Sequence, residues 1–226
     1  MSDFEVLDRV LTARRSCRGF LPEPVPRDVV ERVLAAAQHT ASWCNTQPWQ
    51  VHIVSGEAKK ALSTAAVENV IATFGQPAPS DFAFPAAYTG VYDERRKEVG
   101  WQLYDAVGVV RGDREASAMQ MLRNFEFFGA PHVAIITTDA DLGVYGAIDC
   151  GLYVNSFMLA AEALGIGTCA QAAMGQVAPA IRAQLDLSDD RLVVCGIAFG
   201  HPDPEHPTAQ FRSHRAAVSN AVAFVD

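Results

Sequence analysis

The residues with the clearest chemistry are arginines near the two ends of the chain. Arg15 lies in Arg14-Arg15-Ser16-Cys17-Arg18-Gly19-Phe20, and Arg212 and Arg215 lie in Phe211-Arg212-Ser213-His214-Arg215. Guanidinium groups bind phosphate through paired hydrogen bonds, to which serine hydroxyls and backbone N–H groups add further donors. Because the chain has a formal net charge of -8 at pH 7, these arginines do not reflect a generally basic protein. We predict one anion site closed by both ends of the chain.

A second polar motif, Ala41-Ser42-Trp43-Cys44-Asn45-Thr46-Gln47-Pro48-Trp49, lies between a predicted helix and a predicted strand. Its side-chain amides can hydrogen-bond the edge of a heterocycle, and its tryptophans offer flat apolar surface. Each motif also has a simpler explanation. The arginine motif, taken alone, fits a solvated basic patch at least as well as it fits a phosphate site. Pro48-Trp49 is typical of a turn followed by a tryptophan that packs in the core.

The composition excludes several classes of protein. The 226 residues are 50% hydrophobic and 19% charged, which is enough to bury a core in a single domain, residues 1–226. A pI near 5.2 disfavours a nucleic-acid-binding protein. The five cysteines and six histidines lack metal-binding spacing, so we expect free, packed thiols and no metal. There is neither an apolar run of about 18 residues nor a signal-peptide pattern, which predicts no membrane segment and a cytoplasmic location.

Hydrophobic spacing predicts the elements that must position these motifs. Helices interleaved with about four strands, in a chain whose N-terminal half is poor in strands, favour an α+β fold with one mixed central sheet of four to five strands. No Gly-x-Gly-x-x-Gly segment follows a strand, which disfavours a Rossmann fold. The predicted helices cover 3–12, 28–40, 57–72, 93–110, 114–127, 145–164 and 176–185, and the predicted strands cover 50–55, 131–138, 165–170 and 191–200.

The arginine motif and the Asn45-Thr46-Gln47-Pro48-Trp49 segment, in this order, resemble the signatures of the FMN-dependent nitroreductase family. Segments 124–131, 165–169 and 200–215 also fit, so the resemblance covers nearly the whole chain. It implies a nitroreductase-like fold, with a sheet flanked by helices. It further implies an intertwined homodimer that binds two FMN molecules at the subunit interface.

By this resemblance, the N-terminal arginine motif holds the phosphate and ribityl end of FMN or its pyrimidine edge, and Arg212 and Arg215 close on the phosphate. The second motif approaches the flavin from the partner subunit. A short loop, 170–173, occupies the position that faces the flavin dimethylbenzene ring and N5. This loop lacks the Pro-x-Glu-Gly of one branch of the family, so no carboxylate is expected to control hydride geometry, while backbone donation to N5 stays open. The predicted FMN-binding residues are Arg14, Arg15, Ser16, Arg18, Ser42, Trp43, Asn45, Gln47, Ala170, Gln171, Ala172, Ala173, Arg212 and Arg215.

Residues 74–113 are predicted to form a variable lid over the active site. The first part, 74–92, has no regular period and contains three prolines among aromatic residues, a pattern typical of either a functional lid or a disordered loop. About half of the lid aromatics are expected to pack the lid onto the core instead of meeting a ligand. The predicted substrate contacts are Trp43, Phe82, Tyr88, Tyr92 and Phe125, which suit a flat aromatic substrate.

The activity implied by the resemblance is a ping-pong reaction. NADH or NADPH reduces FMN and leaves, and an electron-poor aromatic, most simply a nitroaromatic, then accepts the electrons. No catalytic side chain is assigned, because the chemistry belongs to the flavin. The alternatives on the same fold are a reductive dehalogenase, a quinone, enone or flavin reductase, and an enzyme that consumes its own flavin. The alternative from another class is a flavin-binding protein without turnover.

Overall fold

The computed structural model describes residues 1–225 and contains one four-stranded sheet with helices on both faces. The strands are β1 (Gln50–Ser55), β2 (His132–Asp139), β3 (Gly167–Gln171) and β4 (Arg191–Gly200). The α-helices are α1 (Asp3–Ala13), α2 (Arg27–Ala37), α3 (Gly56–Ala72), α4 (Val91–Ala106), α5 (Arg114–Leu122), α6 (Gly143–Ala163) and α7 (Ala178–Leu185). This architecture confirms the predicted α+β class.

The strand order is β1-β2-β4-β3, and all three pairs are antiparallel. The prediction of a mixed sheet was therefore wrong for the named strands of this chain. Parallel pairing occurs only at the isolated bridge between Ser16 and Thr168 within the described residues. Long helical connections suit parallel strands, which need a crossover, but they also allow an antiparallel return, so connection length did not fix strand direction.

Two predicted helices end earlier than the hydrophobic spacing indicated. The helix predicted for 93–110 ends at Ala106, and the one predicted for 114–127 ends at Leu122. Gly108 has φ 74°, and Phe127 and Phe128 have φ 56° and 55°, so neither predicted helix could reach its expected last residue. Apolar residues that follow each helix continue its hydrophobic spacing, and for this reason the predicted helices were too long.

Strand β2 lies at the centre of the core, as its continuous apolar run predicted. Val133 and Ile135 face a cluster that includes α3 and α7, whereas Ala134 and Ile136 face a cluster that includes α2 and α6. This alternation follows from the two-residue period of a strand. Both faces of the sheet are therefore buried, so a ligand site can form only at its edges and at the ends of its strands.

Helix α6 forms much of one helical layer, and it is the one described helix that is long and apolar enough to cross a bilayer, with mean hydropathy 1.2. A helix packed in the core of a globular protein satisfies the same criteria. Cys150, Tyr153 and Phe157 on α6 are fully buried against the sheet, and so is the carboxylate-bearing Asp149. We assign α6 to the domain core.

The segment between α3 and α4 contains no regular helix or strand, as predicted for the first part of the lid. Two of its residues attach it to the core. Asp81 pairs with Arg182 on α7, and the Phe84 ring packs over Gly175 in the turn after β3. This segment thus adjoins the end of β3, where the family resemblance puts the flavin.

Candidate active site

The arginines from both ends of the chain meet around one cleft of about 660 Å³, which we call the arginine cleft. Serine and threonine hydroxyls line it beside the guanidinium groups, and none of its described lining residues is a carboxylate. This donor set suits a phosphate dianion. The lining residues are Leu11, Thr12, Arg14, Arg15, Ser16, Arg18, Val99, Phe211, Arg212, Ser213 and Arg215.

The N-terminal arginine motif is fixed by its contacts with β3 and the C-terminal segment. The backbone N–H of Cys17 donates to the Thr168 carbonyl oxygen at 2.8 Å, next to the bridge between Ser16 and Thr168. Gly19 lies so close to His206 that any added Cβ would overlap the imidazole ring. The motif is therefore an extended segment added to the sheet edge, in which Cys17 is buried and its neighbours Ser16 and Arg18 line the cleft.

The C-terminal arginines are oriented by bonds to their own segment. Arg212 Nη1 donates to the Ala209 carbonyl at 3.1 Å, and Arg215 Nη1 donates to Ser213 Oγ at 2.7 Å. Burial and the nearby charge of Arg15 lower the pKa of Arg212. Like charges held together in this way are stabilised by an anion between them.

The second motif forms a tight turn with unusual backbone conformations. Cys44, Asn45 and Gln47 have φ values of 51°, 56° and 46°, a left-handed region that costs roughly 1–2 kcal/mol for each such residue. The backbone N–H of Gln47 donates to Ser42 Oγ at 2.9 Å and holds the turn closed. Such strain persists only where surrounding contacts enforce it, and it concentrates at functional sites.

This turn presents Trp43 to solvent. Its backbone N–H donates to Asp149 Oδ2 at 3.1 Å, and its ring meets the Tyr145 ring edge-on at 4.3 Å between centroids. The Trp43 side chain nevertheless remains 57% exposed. A flat, fixed and accessible aromatic surface results, whereas Trp49 stacks on Tyr153 in the core as expected.

The two motifs lie at opposite ends of α6 within one chain. Trp43 contacts Asp149 near the start of the helix. The carboxylate of Glu162, in its last turn, is close enough to Arg212 to oppose the burial that lowers the pKa of Arg212. At about 1.5 Å per residue, Asp149 and Glu162 are about 20 Å apart along the axis.

The short segment 170–173 spans the end of β3 and the turn after it, beside the arginine motif. Gln171 is 2% exposed, and its Nε2 donates to the Asn124 carbonyl at 2.6 Å, so its side chain is engaged in the core and its predicted flavin contact is one for the backbone. Ala170 and Ala172 are exposed on the opposite side of the strand. The alternation of a strand explains this outcome, and the small alanines leave open surface for a flat ring.

Among the predicted substrate contacts, Phe125 was placed wrongly. It is 2% exposed and belongs to the core cluster on the α3 side of the sheet, because the chain folds inward after α5. Tyr88 and Tyr92 are exposed by 48% and 66%, and Phe82 is half-buried, so these three lid residues stay candidates.

Two buried thiols, those of Cys17 and Cys169, lie next to the arginine motif. Burial raises the pKa of Cys17, whose Sγ donates to the Gly19 carbonyl, and raises that of Cys169 to about 11. Both are protonated packing residues, as expected. Cys44 is exposed and does not match the packing expectation.

Sequence reasoning missed Asp149, which holds the Trp43 turn. A signal was available, because Asp149 and Glu162 are the only acidic residues in the 21-residue apolar helix α6. A buried carboxylate in such a helix requires a hydrogen-bond donor from elsewhere in the chain.

Comparison with known proteins agrees with this geometry. Residues 11–201 match the nitroreductase family. The chain belongs to the nitroreductase family. It is 35% identical over 220 residues to the nitrobenzene nitroreductase of Ectopseudomonas oleovorans, covering 97% of this chain and 96% of that protein. It is 34% identical over 230 residues to the 4-nitrobenzoate reductase of Nocardioides sp. strain LMS-CY, covering 98% and 90%.

The fold of this nitroreductase-family chain also matches a solved relative. The crystal structure of the FMN-dependent nitroreductase NfnB from Mycobacterium smegmatis, in complex with NADPH, superposes with a TM-score of 0.92 at 33% identity. That match covers 99% of this chain and 100% of the other. The predicted nitroreductase fold is confirmed.

The residues present fit FMN. The arginine cleft has the donors that a terminal phosphate requires, and no described lining carboxylate opposes it. The exposed alanines after β3 and the exposed Trp43 ring supply flat surface for an isoalloxazine.

Proposed function

We propose that this protein is an FMN-dependent oxidoreductase that takes electrons from NADPH or NADH and reduces a nitroaromatic compound. The observation that carries the proposal is the arginine cleft, in which five arginines from both ends of the chain converge without an opposing carboxylate among the described lining residues. The nitroaromatic acceptor is supported by the names of full-length relatives at 34–35% identity.

Each part of the site has a task in this proposal. Arg15, Arg212 and Arg215 neutralise the FMN phosphate, and Ser16 adds a hydroxyl donor. Arg14 and Arg18 line the same cleft and extend the cationic surface. These residues would hold FMN, which would supply the transfer of reducing equivalents from the nicotinamide coenzyme to the acceptor.

The residues around the flavin ring position it and its ligands. Backbone N–H groups of segment 170–173 supply donors to the ring, since their side chains are small or buried. Ser42, Asn45 and Gln47 support the turn that presents Trp43, and Trp43 offers a stacking surface for the acceptor. Residues 74–113 cover the site as a lid, with Phe82, Tyr88 and Tyr92 facing the substrate.

The working form is a homodimer. Tyr145, Ile148 and Leu152 follow one face of α6 and are exposed by 53%, 51% and 49%. Helix α1, which packs beside α6, exposes Phe4 and Leu7 as well. An apolar surface of this extent marks an interface. Pairing two such surfaces would also bring the Trp43 turn of one chain to the arginine cleft of the other.

A cytoplasmic location is part of the proposal. All five cysteines are free, and three of them are buried. A chain with several unpaired thiols suits a reducing compartment.

The test is purification followed by flavin analysis and an acceptor panel. We expect one FMN per chain, and NADPH oxidation that depends on added nitrobenzene or 4-nitrobenzoate. The panel also includes a quinone and a halophenol, for which we expect lower kcat/KM. Protein that neither retains nor regains FMN contradicts the proposal, and FMN binding without acceptor-dependent oxidation indicates a flavin carrier instead.

A further inference from the structure

A second cleft adjoins the arginine cleft, between α4 and the C-terminal segment. We call it the tail cleft, and its volume is about 680 Å³. Val99, Ser213 and Arg215 line both clefts, so the two are continuous. The other lining residues of the tail cleft are Arg95, Glu98, Gln102, His214 and Ala216.

Arg95 gives the tail cleft an uncompensated positive charge. The neighbouring cations on α4 are engaged, because Lys97 Nζ lies 2.6 Å from Asp93 Oδ2 and Arg96 Nη1 lies 3.9 Å from Asp93 Oδ1. Within residues 1–225, Arg95 forms no ion pair. A guanidinium that lines a cleft without a carboxylate partner is suited to bind an anionic ligand.

Glu98 is the one acidic lining residue of the tail cleft among those described, and polar neighbours hold it. His214 Nδ1 lies 2.7 Å from Glu98 Oε1, and Gln102 Nε2 donates to the same oxygen at 3.3 Å. His214 and Gln102 thus already engage the Glu98 carboxylate, whereas Arg95 and Arg215 in the same cleft have no carboxylate partner among the described ion pairs. These two guanidinium groups can therefore meet a phosphate.

The arginine cleft and the flat surface at the end of β3 are separated along the chain. Thr168 lies beside Ser16 at the arginine cleft, and Ala172 follows β3. At about 3.3 Å per residue, Ala172 is on the order of 13 Å farther along the chain. A dinucleotide is long enough to extend from the alanines at the end of β3 to the arginines of the two clefts.

We propose that the tail cleft binds the phosphorylated adenosine end of NADPH, with Arg95 contacting the 2′-phosphate. This inference rests on the proposed function, because it names the coenzyme of that reaction. It predicts a preference for NADPH over NADH, since NADH lacks the 2′-phosphate and leaves Arg95 without a partner.

The test uses the FMN-loaded protein and calorimetric titration with adenosine 2′,5′-bisphosphate and adenosine 5′-monophosphate. We expect the bisphosphate to bind about tenfold more tightly than the monophosphate, the effect of one charged contact. Arg95→Ala removes this difference. Lys97→Ala removes a charge from the same helix that is already paired with Asp93, and it keeps the difference. The ratio of kcat/KM for NADPH to that for NADH should fall about tenfold in Arg95→Ala alone.

Equal binding of both nucleotides to the unmodified protein overturns the inference. So does an equal loss in Arg95→Ala and Lys97→Ala, or displacement of the bisphosphate by 4-nitrobenzoate, which would make the cleft an acceptor site. The two proposals fail separately. An active nitroreductase without the bisphosphate preference contradicts only this inference, whereas a protein with that preference but without acceptor-dependent oxidation contradicts only the proposed function.

Discussion

Asp81 and Arg182 form a two-point contact between the lid and the core. Nη2 of Arg182 lies 2.9 Å from both carboxylate oxygens of Asp81, and the backbone N–H of Val193 donates to Asp81 Oδ2 at 2.7 Å. Both side chains are largely buried, with 14% and 19% exposure. Because Asp81 lies in the lid segment, this contact fixes the base of the lid against α7 and β4.

Loss of the Asp81 carboxylate should destabilise the protein. Breaking a buried ion pair costs about 3–5 kcal/mol, and the partial exposure here reduces the expected loss for Asp81→Ala to about 2–3 kcal/mol. Urea unfolding measures it. The matched control is Asp93→Ala, whose partner Lys97 is 62% exposed, with an expected loss below about 1 kcal/mol. Equal losses in the two variants would show that Asp81 does not anchor the lid.

The contact between Asp149 and the Trp43 backbone should affect FMN binding more than folding. Asp149→Ala removes the acceptor that holds the strained turn, so we expect FMN affinity to fall about tenfold, or about 1.4 kcal/mol. Asp149→Asn keeps a carbonyl acceptor, and its FMN affinity should stay within about threefold of that of the unmodified protein. Fluorescence titration with FMN compares the variants. An unchanged FMN affinity in Asp149→Ala would show that the Trp43 turn does not contribute to the flavin site.

The exposed face of α6 should hold the dimer together. Leu152→Glu introduces a charge into the apolar stripe, and burying it at an interface is costly. We expect a monomer in light scattering, together with loss of bound FMN. Val110→Glu is the control, because Val110 is 71% exposed but lies outside the α6 stripe. If the Leu152→Glu protein stays dimeric, the exposed face of α6 is not the dimer interface.

Stability should fall in mild acid because of one buried and two partly buried histidines. Burial, with the charges of Lys59 and His201, lowers the pKa of His132 from its ordinary value of 6.5, and its Nε2 accepts a hydrogen bond from the Val25 N–H at 2.9 Å. Burial also lowers the pKa of His52 and of His206. The unfolded chain therefore binds more protons below pH 6.5, so the free energy of unfolding decreases as pH falls through that value.

Urea unfolding between about pH 8 and about pH 5.5 measures this dependence. His132→Gln keeps an acceptor without titrating in this range, and it should weaken the dependence. His39→Gln, in the exposed turn after α2, should leave it unchanged. A protein equally stable at both ends of the range would contradict the assignment.

The location of the site could be predicted from the sequence better than the orientation of the individual side chains around it. The arginines of both termini converge as expected, and the predicted strands 50–55 and 191–200 match β1 and β4, because their patterns are local. The pairing of Asp81 with Arg182, 101 residues later, has no local signal. Phe125 was misplaced because residue type does not reveal which side of a turn faces the core.

A comparison of FMN with riboflavin, which lacks the phosphate, tests whether the arginine cleft binds the phosphate of FMN. The measurement is the dissociation constant of each flavin for the unmodified protein and for Arg15→Ala and Arg215→Ala. We expect each substitution to weaken FMN binding about 10- to 100-fold and to change riboflavin binding less than about twofold, since only FMN loses a charged contact. Equal weakening of both flavins, or no weakening of either, would contradict the assignment.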